Sequence, residues 1–85
     1  MNKISVIIPS YKRALLLEQI LSVLVIQQSI LEILVIDSQS NDGTKEIVSK
    51  YNQNSKITIK HFDVENNVSL KRNKGILEAN TDNLI

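Results

Sequence analysis

Three stretches rich in β-branched and aliphatic residues alternate with three amphipathic stretches, and this alternation limits the folds open to the chain. Residues 4–8, 32–37 and 56–62 have the composition and short length of strands, and each precedes a segment with helical spacing. Repeated strand–helix units are typical of α/β domains built on a parallel sheet. We therefore predict a three-layer α/β fold with a mostly parallel sheet.

The helices are predicted over residues 14–28, 44–51 and 69–79. Ser69 is expected to cap the third helix, with Leu70, Ile76 and Leu77 turned toward the sheet. Right-handed crossovers would place the three strands side by side in chain order. By composition, residues 4–8 are expected to form the most buried strand, while the alternating residues 56–62 suit an edge.

Leu84 and Ile85 resemble the first residues of a fourth strand, which would cover the free edge of the first. On this interpretation residues 1–85 are a single partial domain, the first half of a doubly wound fold truncated at its fourth strand. An exposed strand edge favours pairing with another chain. We therefore expect the chain to self-associate through that edge or to be only marginally folded.

Composition excludes several classes of function. The chain of 85 residues has no Cys and one His, so neither a disulfide nor a Cys-based zinc site can stabilise it. Ten basic and nine acidic residues give a net charge of +1, which selects no nucleic-acid partner. Two Gly are too few for the phosphate-binding glycine motifs of dinucleotide and P-loop folds. No metal site is predicted among these residues.

The sequence also gives expectations about location. The most apolar stretch, residues 14–26, contains Glu18, Gln19 and Ser22 and is shorter than the roughly 20 apolar residues of a bilayer span. No transmembrane segment and no signal peptide are expected, and the absence of Cys suits a reducing compartment. We expect a cytoplasmic location, with the inner face of the membrane as an alternative.

Polar residues concentrate where the predicted strands end. Ligands of open α/β sheets bind beyond the carboxyl ends of the strands, which here are followed by residues 9–13, 37–43 and 63–69. These loops supply an aromatic ring, acids, hydroxyls and cations, which are the groups that a nucleotide diphosphate site needs. A nicotinamide site would also use an acid after the second strand, but residues 9–13 contain no Gly for the pyrophosphate turn.

Three segments together resemble the start of a family 2 glycosyltransferase of the GT-A type. They are residues 7–13 (IIPSYKR), 32–44 (EILVIDSQSNDGT) and 68–76 (VSLKRNKGI), in the family's order and spacing. The resemblance implies a Rossmann-like nucleotide-binding fold and transfer of a sugar from a nucleotide diphosphate donor. The nucleotide-sugar donor is thus the expected partner.

The resemblance also implies roles for individual positions. Pro9, Ser10 and Tyr11 would form a wall beside the base and ribose. Asp37 and Ser38 would lie at the base edge, and Arg72 near the base or the phosphates. Residues 42–44 would shape the turn that starts the second helix.

Three positions depart from the family pattern. Many members have a second acid at Ser38, so the preferred base, of uridine or thymidine type, is left open. Gln39 and Asn67 stand where glycines are frequent. Asn tolerates left-handed backbone better than most residues.

The resemblance implies a divalent metal, Mg²⁺ or Mn²⁺, for the complete enzyme, held by an acidic motif that would follow Ile85. No cofactor, catalytic base or other catalytic residue is expected within residues 1–85. We therefore expect these residues alone to have no transferase activity of their own. The alternative is a non-catalytic α/β module, or a vestigial fragment, that acts only through protein association.

Each predicted site residue also has a structural interpretation. Asp37 and Asp42 could simply close turns, Tyr11 could be a packing aromatic, and Arg72 a solvated cation. Lys71 is expected at the surface. The only histidine, His61, shares the alternation of Ile57 and Ile59, so it is expected to be a structural strand residue rather than a ligand.

Overall fold

The computed structural model describes residues 3–81, in which three strands alternate with three helices. The elements are β1 (Ile4–Pro9), α1 (Ala14–Leu24), β2 (Ile30–Asp37), α2 (Thr44–Gln53), β3 (Thr58–Asp63) and α3 (Val68–Glu78). The strands form one sheet in the order β1-β2-β3, and both pairings are parallel. The predicted α/β fold with a parallel sheet is confirmed. The expected fourth strand at Leu84 and Ile85 lies outside the described residues.

The main core lies between the sheet and the pair α1 and α2. Leu17 and Leu21 of α1 and Val48 of α2 are buried against alternate residues of the three strands. The alternation of side chains along a strand places these strand residues on one face. The core consists of Val6, Leu17, Leu21, Ile30, Ile33, Val35, Val48, Ile57 and Ile59.

Helix α1 is shorter than predicted, because it ends at Leu24 instead of Gln28. Strand β2 begins two residues earlier than expected, at Ile30, which pairs with Ile4 and is buried. Burial of Ile30 against the core draws the chain into the sheet before the helical pattern of the sequence is exhausted.

The central strand β2 is the most buried of the three, which corrects the expectation that β1 is. Leu34, Val35 and Ile36 are fully buried. Position explains the difference: β2 has a strand on each side and helices over both faces, whereas β1 has no strand on its outer side within residues 3–81.

Helix α3 packs on the opposite face of the sheet, over β1 and β2. Its inward face is made by Lys71 and Gly75, while Leu70, Ile76 and Leu77 are exposed. The predicted inward face of this helix was therefore wrong. Gly75 explains the helix orientation: a Cβ at this position would overlap the Ile7 side chain, so only glycine lets the helix lie so close to β1.

The start of α3 also differs from the prediction. Asn67, not Ser69, caps the helix: its side-chain oxygen accepts a hydrogen bond from the Leu70 N–H at 3.0 Å. Asn67 has extended backbone with a φ of −144°. It therefore occupies no left-handed turn, and its amide serves as a cap.

A buried carboxylate joins the sheet to the segment after α3. Glu32 on β2 accepts hydrogen bonds from the Ser5 hydroxyl at 2.7 Å and from both nitrogens of Asn80. Burial alone would raise the pKa of Glu32. The bonds from Asn80 and Ser5 and the nearby Lys60 ammonium outweigh burial and hold this pKa below its ordinary value.

Within residues 3–81, no helix is long and apolar enough to cross a membrane.

Several large apolar side chains remain exposed on α1, on α3 and in the segments beside them. Where such residues form a contiguous patch, they favour association with another chain. The exposed residues are Leu15, Leu16, Val23, Ile26, Leu31, Val68, Leu70, Ile76 and Leu77.

Candidate functional site

The loops that follow the three strands meet at the carboxyl edge of the sheet. The strand pairing continues past the end of the ladder, since the Ser10 N–H donates to the Ile36 carbonyl and the Val64 N–H to the Asp37 carbonyl, both at 2.8 Å. In this register Asp37 lies opposite Asp63. The loops after β1, β2 and β3 are thereby fixed beside one another, as the strand order predicts.

These loops contain the unusual backbone of the described chain. Lys12, Gln39 and Asn41 have φ values of 52°, 53° and 57°, and Gly43 has a φ of 91°. Left-handed backbone costs a non-glycine residue about 1 kcal/mol or more and concentrates at functional sites. Gln39, where the family often has glycine, is held by a bond from its N–H to the Asp63 carboxylate at 3.0 Å.

Lys71 connects the loops after β1 and β3 through its buried side chain. This corrects the expectation that Lys71 lies at the surface. Its ammonium donates to the Ser10 carbonyl at 2.8 Å and to the Asn66 side chain at 3.0 Å, and lies 5.4 Å from the centre of the Tyr11 ring. The side chain is buried. Its four-residue spacing from Gly75 was the sequence signal for a shared inward face.

Two clefts open at this edge. The Tyr11 cleft has a volume of about 400 Å³ and the His61 cleft about 530 Å³, both within the range of roughly 300–1,000 Å³ for ligand sites. The Tyr11 cleft is lined by Tyr11, Ser38, Gln39, Asp63, Val64, Glu65 and Asn66. The His61 cleft is lined by Asp37, Gln39, Ser40, Asn41, Gly43, Thr44, Lys45, Glu46, His61 and Asp63.

The structure distributes the predicted nucleotide-binding residues over this edge. Tyr11 and Ser38 meet in the Tyr11 cleft, where the Ser38 hydroxyl is buried without a hydrogen-bond partner among residues 3–81. Pro9 and Ser10 line a smaller cavity of about 100 Å³ toward α1. Arg72 is exposed on α3, next to Lys71.

Asp37 faces the other cleft and is almost completely buried. Its carboxylate accepts hydrogen bonds from the Ser40 hydroxyl at 2.7 Å and the Ser40 N–H at 3.3 Å. Ser40 in turn accepts a bond from the Lys12 N–H at 2.7 Å. Asp37 therefore holds the loop after β1 through Ser40, and its neighbour Ser38 lines the Tyr11 cleft instead.

The turn before α2 has the role that the sequence predicts for residues 42–44. The Asp42 carboxylate accepts bonds from the hydroxyl and N–H of Thr44 and, at 3.2 Å, from the Ala14 N–H at the start of α1. The bond from the Thr44 hydroxyl, with help from the N–H groups, lowers the pKa of Asp42. Asp42 thus joins the first turns of two helices.

Asp37, His61 and Asp63 form the only group of three acid or imidazole side chains in residues 3–81 whose ligand atoms all lie within 4.8 Å of one another. The sequence did not predict this group, because Asp37 is more than twenty residues from His61 and Asp63 along the chain. Mg²⁺ favours an all-oxygen octahedral shell, so a set containing an imidazole does not fit the Mg²⁺ expected for the family.

A search of curated proteins finds no match. A scan of protein families matches residues 5–85 to the family described as glycosyl transferase family 2. This match spans all three strands and helices and every loop of the carboxyl edge. The chain belongs to glycosyl transferase family 2.

Proposed function

We propose that the carboxyl edge of the sheet binds the nucleotide diphosphate of a sugar donor of the UDP or TDP type. The observation that carries this proposal is the Tyr11 cleft, where an aromatic ring and an unpaired hydroxyl lie together. A base can stack on the tyrosine ring. The Ser38 hydroxyl can both donate and accept a hydrogen bond, as the polar edge of a pyrimidine requires.

Cations lie where the diphosphate would extend from this cleft. The Lys12 ammonium is 5.2 Å from the centre of the Tyr11 ring and is on an exposed residue. Arg72 lies on α3, whose amino end starts at the same edge. A guanidinium can bind two phosphate oxygens at once. We assign Tyr11 and Ser38 to the base and Lys12 and Arg72 to the phosphates.

Sugar transfer itself would need a group that neutralises the leaving diphosphate, and a bound Mg²⁺ or Mn²⁺ would supply this. We propose no ligands for that ion among residues 3–81. The part of these residues is to bind and orient the donor nucleotide. We further propose that residues 1–85 alone have no sugar-transfer activity.

Calorimetric titration with UDP, TDP and GDP tests the proposal. We expect saturable binding of a pyrimidine nucleotide and weaker binding of GDP, because the larger purine has a different polar edge. Failure of all three nucleotides to bind at millimolar concentration would overturn the nucleotide-site assignment.

A second function, association with another protein chain, is favoured by a separate observation. Leu77 is 80% exposed on α3, and the outer edge of β1 has no strand partner within residues 3–81. An apolar helix face beside an open strand edge suits pairing with a further segment of polypeptide. Association with another chain requires no nucleotide. If no nucleotide binds in the titration described above, association is therefore the function that is still supported.

A further inference from the structure

Two acidic side chains face each other across β2 and β3 at the floor of the His61 cleft. Asp37 and Asp63 are register partners in the parallel ladder, and His61 precedes Asp63 by two residues on the same face. Like charges placed directly opposite in a sheet are destabilising. A positive charge between the carboxylates would relieve this repulsion.

The imidazole of His61 is oriented toward both acids without bonding either. Its Nε2 lies 3.9 Å from Asp37 Oδ2 and 3.9 Å from Asp63 Oδ1, beyond hydrogen-bond range. This nitrogen is buried and has no hydrogen-bond partner in the described chain. The histidine side chain as a whole is 12% exposed. A buried polar atom without a partner is costly, because it has lost water and gained nothing.

The three ligand atoms lie close enough to converge on one small cation. Around a tetrahedral Zn²⁺ with bonds of about 2.1 Å, ligand atoms lie about 3.4 Å apart. The 3.9 Å separations exceed this distance by about half an ångström, and the widest pair, within 4.8 Å, exceeds it by up to about 1.4 Å. Metal binding therefore requires the side chains to move together, and Asp63, which is 40% exposed, has the room to do so.

The ligands are also held by neighbouring groups. Ser40 donates two hydrogen bonds to Asp37, and the Gln39 N–H donates one to Asp63. Outer contacts of this kind orient the ligands of metal sites. The cleft above leaves room for water or a further ligand on the ion.

We propose that Asp37, His61 and Asp63 form a binding site for a divalent transition metal, with Zn²⁺ as the preferred ion. One imidazole nitrogen and two carboxylates suit Zn²⁺ or Co²⁺, whereas Mg²⁺ and Mn²⁺ favour oxygen ligands. The ion supplies the positive charge between the acids and satisfies His61 Nε2. The proposal rests on this geometry and not on the nucleotide-site assignment, although Gln39 and Asp63 line both clefts.

The test uses the untagged chain, because His61 is its only histidine. We expect calorimetry to show one Zn²⁺ per chain and Mg²⁺ to bind at least tenfold more weakly. Asp63→Asn and His61→Gln should each weaken Zn²⁺ binding at least tenfold. Glu46 lines the same cleft but is not one of the three ligands. Glu46→Gln should therefore change the affinity for Zn²⁺ less than twofold.

Nitrogen NMR of the single imidazole gives a second readout that does not depend on how well a variant folds. Zn²⁺ should shift the Nε2 resonance of the unmodified chain in proportion to occupancy. The proposal is overturned if Zn²⁺ does not bind at millimolar concentration, or if the resonance is that of an imidazolium unaffected by Zn²⁺. Equal Zn²⁺ binding by the unmodified chain and Asp63→Asn would also overturn it.

Discussion

The Lys71 ammonium donates a hydrogen bond to the carbonyl oxygen of Ser10 at 2.8 Å, across 61 positions of sequence. The same ammonium bonds Asn66, so one side chain joins the loops after β1 and β3. The proposed base-binding cleft lies between these loops. Its geometry therefore depends on a buried lysine that would not contact the nucleotide.

Lys71→Met should destabilise the fold and distort the Tyr11 cleft. The substitution keeps the apolar stem but removes two charged hydrogen bonds, so we expect a loss of about 2–4 kcal/mol in the free energy of unfolding. Urea denaturation measures this loss. Lys74→Met, whose ammonium pairs with Glu78 near the surface of the same helix, should cost less than about 1 kcal/mol. Equal effects of the two substitutions would contradict the connecting role of Lys71.

Tyr11→Ala and Ser38→Ala test the assignment of the base. Loss of base stacking on Tyr11 should weaken UDP binding by about 1–3 kcal/mol, or about 5- to 150-fold. Ser38→Ala should weaken the binding of pyrimidine nucleotides and reduce the difference between their affinity and that of GDP. Unchanged UDP affinity in Tyr11→Ala would place the base elsewhere.

Arg72→Ala should weaken the binding of UDP more than the binding of uridine, because the guanidinium is assigned to the phosphates.

Gly75→Ala should destabilise the fold, although alanine normally stabilises a helix. The new Cβ would overlap Ile7 on β1, and overpacking of this kind costs about 1–3 kcal/mol. Ile7→Ala removes the overlapping atoms, so the double variant should lose less stability than the sum of the two single variants. Thermal denaturation of the four proteins checks this. Strict additivity would show that α3 does not rest on Ile7.

Glu32 should make the stability depend on pH in the acid range. Because its pKa is lowered in the folded state, its contribution is fully present above the unfolded pKa, about 4.5, and is lost as pH falls through the folded value. Glu32→Gln should cost about 1–3 kcal/mol at pH 7 and progressively less toward pH 3. Urea denaturation at several pH values measures the free energy of unfolding of the unmodified chain and of Glu32→Gln. Glu65→Gln, at an exposed loop position, is the control and should follow the unmodified chain.

The exposed edge and the apolar helix faces should lead to self-association. We expect sedimentation velocity to show a sedimentation coefficient that rises with protein concentration. Leu77→Lys, at a position 80% exposed, should reduce association without lowering the free energy of unfolding. A chain that stays monomeric at every concentration would contradict this expectation.

Local sequence determined the elements of this fold. The β-branched runs and the apolar spacing of α1 and α2 are periodic signals, and they predicted the three strands, the parallel sheet and the loops that form its carboxyl edge. The three motifs at residues 7–13, 32–44 and 68–76 together indicated the family, because loop residues of a site keep a fixed order along the chain. Tyr11 and Ser38 were predicted together and do share a cleft.

The contacts between distant segments were decided by tertiary structure alone. The periodicity of α3 predicts Leu70 and Leu77 on its inner face, yet the close approach at Gly75 turns Lys71 inward instead. The group of Asp37, His61 and Asp63 exists only because parallel pairing aligns β2 with β3 in one register. Periodicity reports which residues share a face of one element. It carries no information on how closely two elements pack or which register joins them, and those two quantities set the geometry of this site.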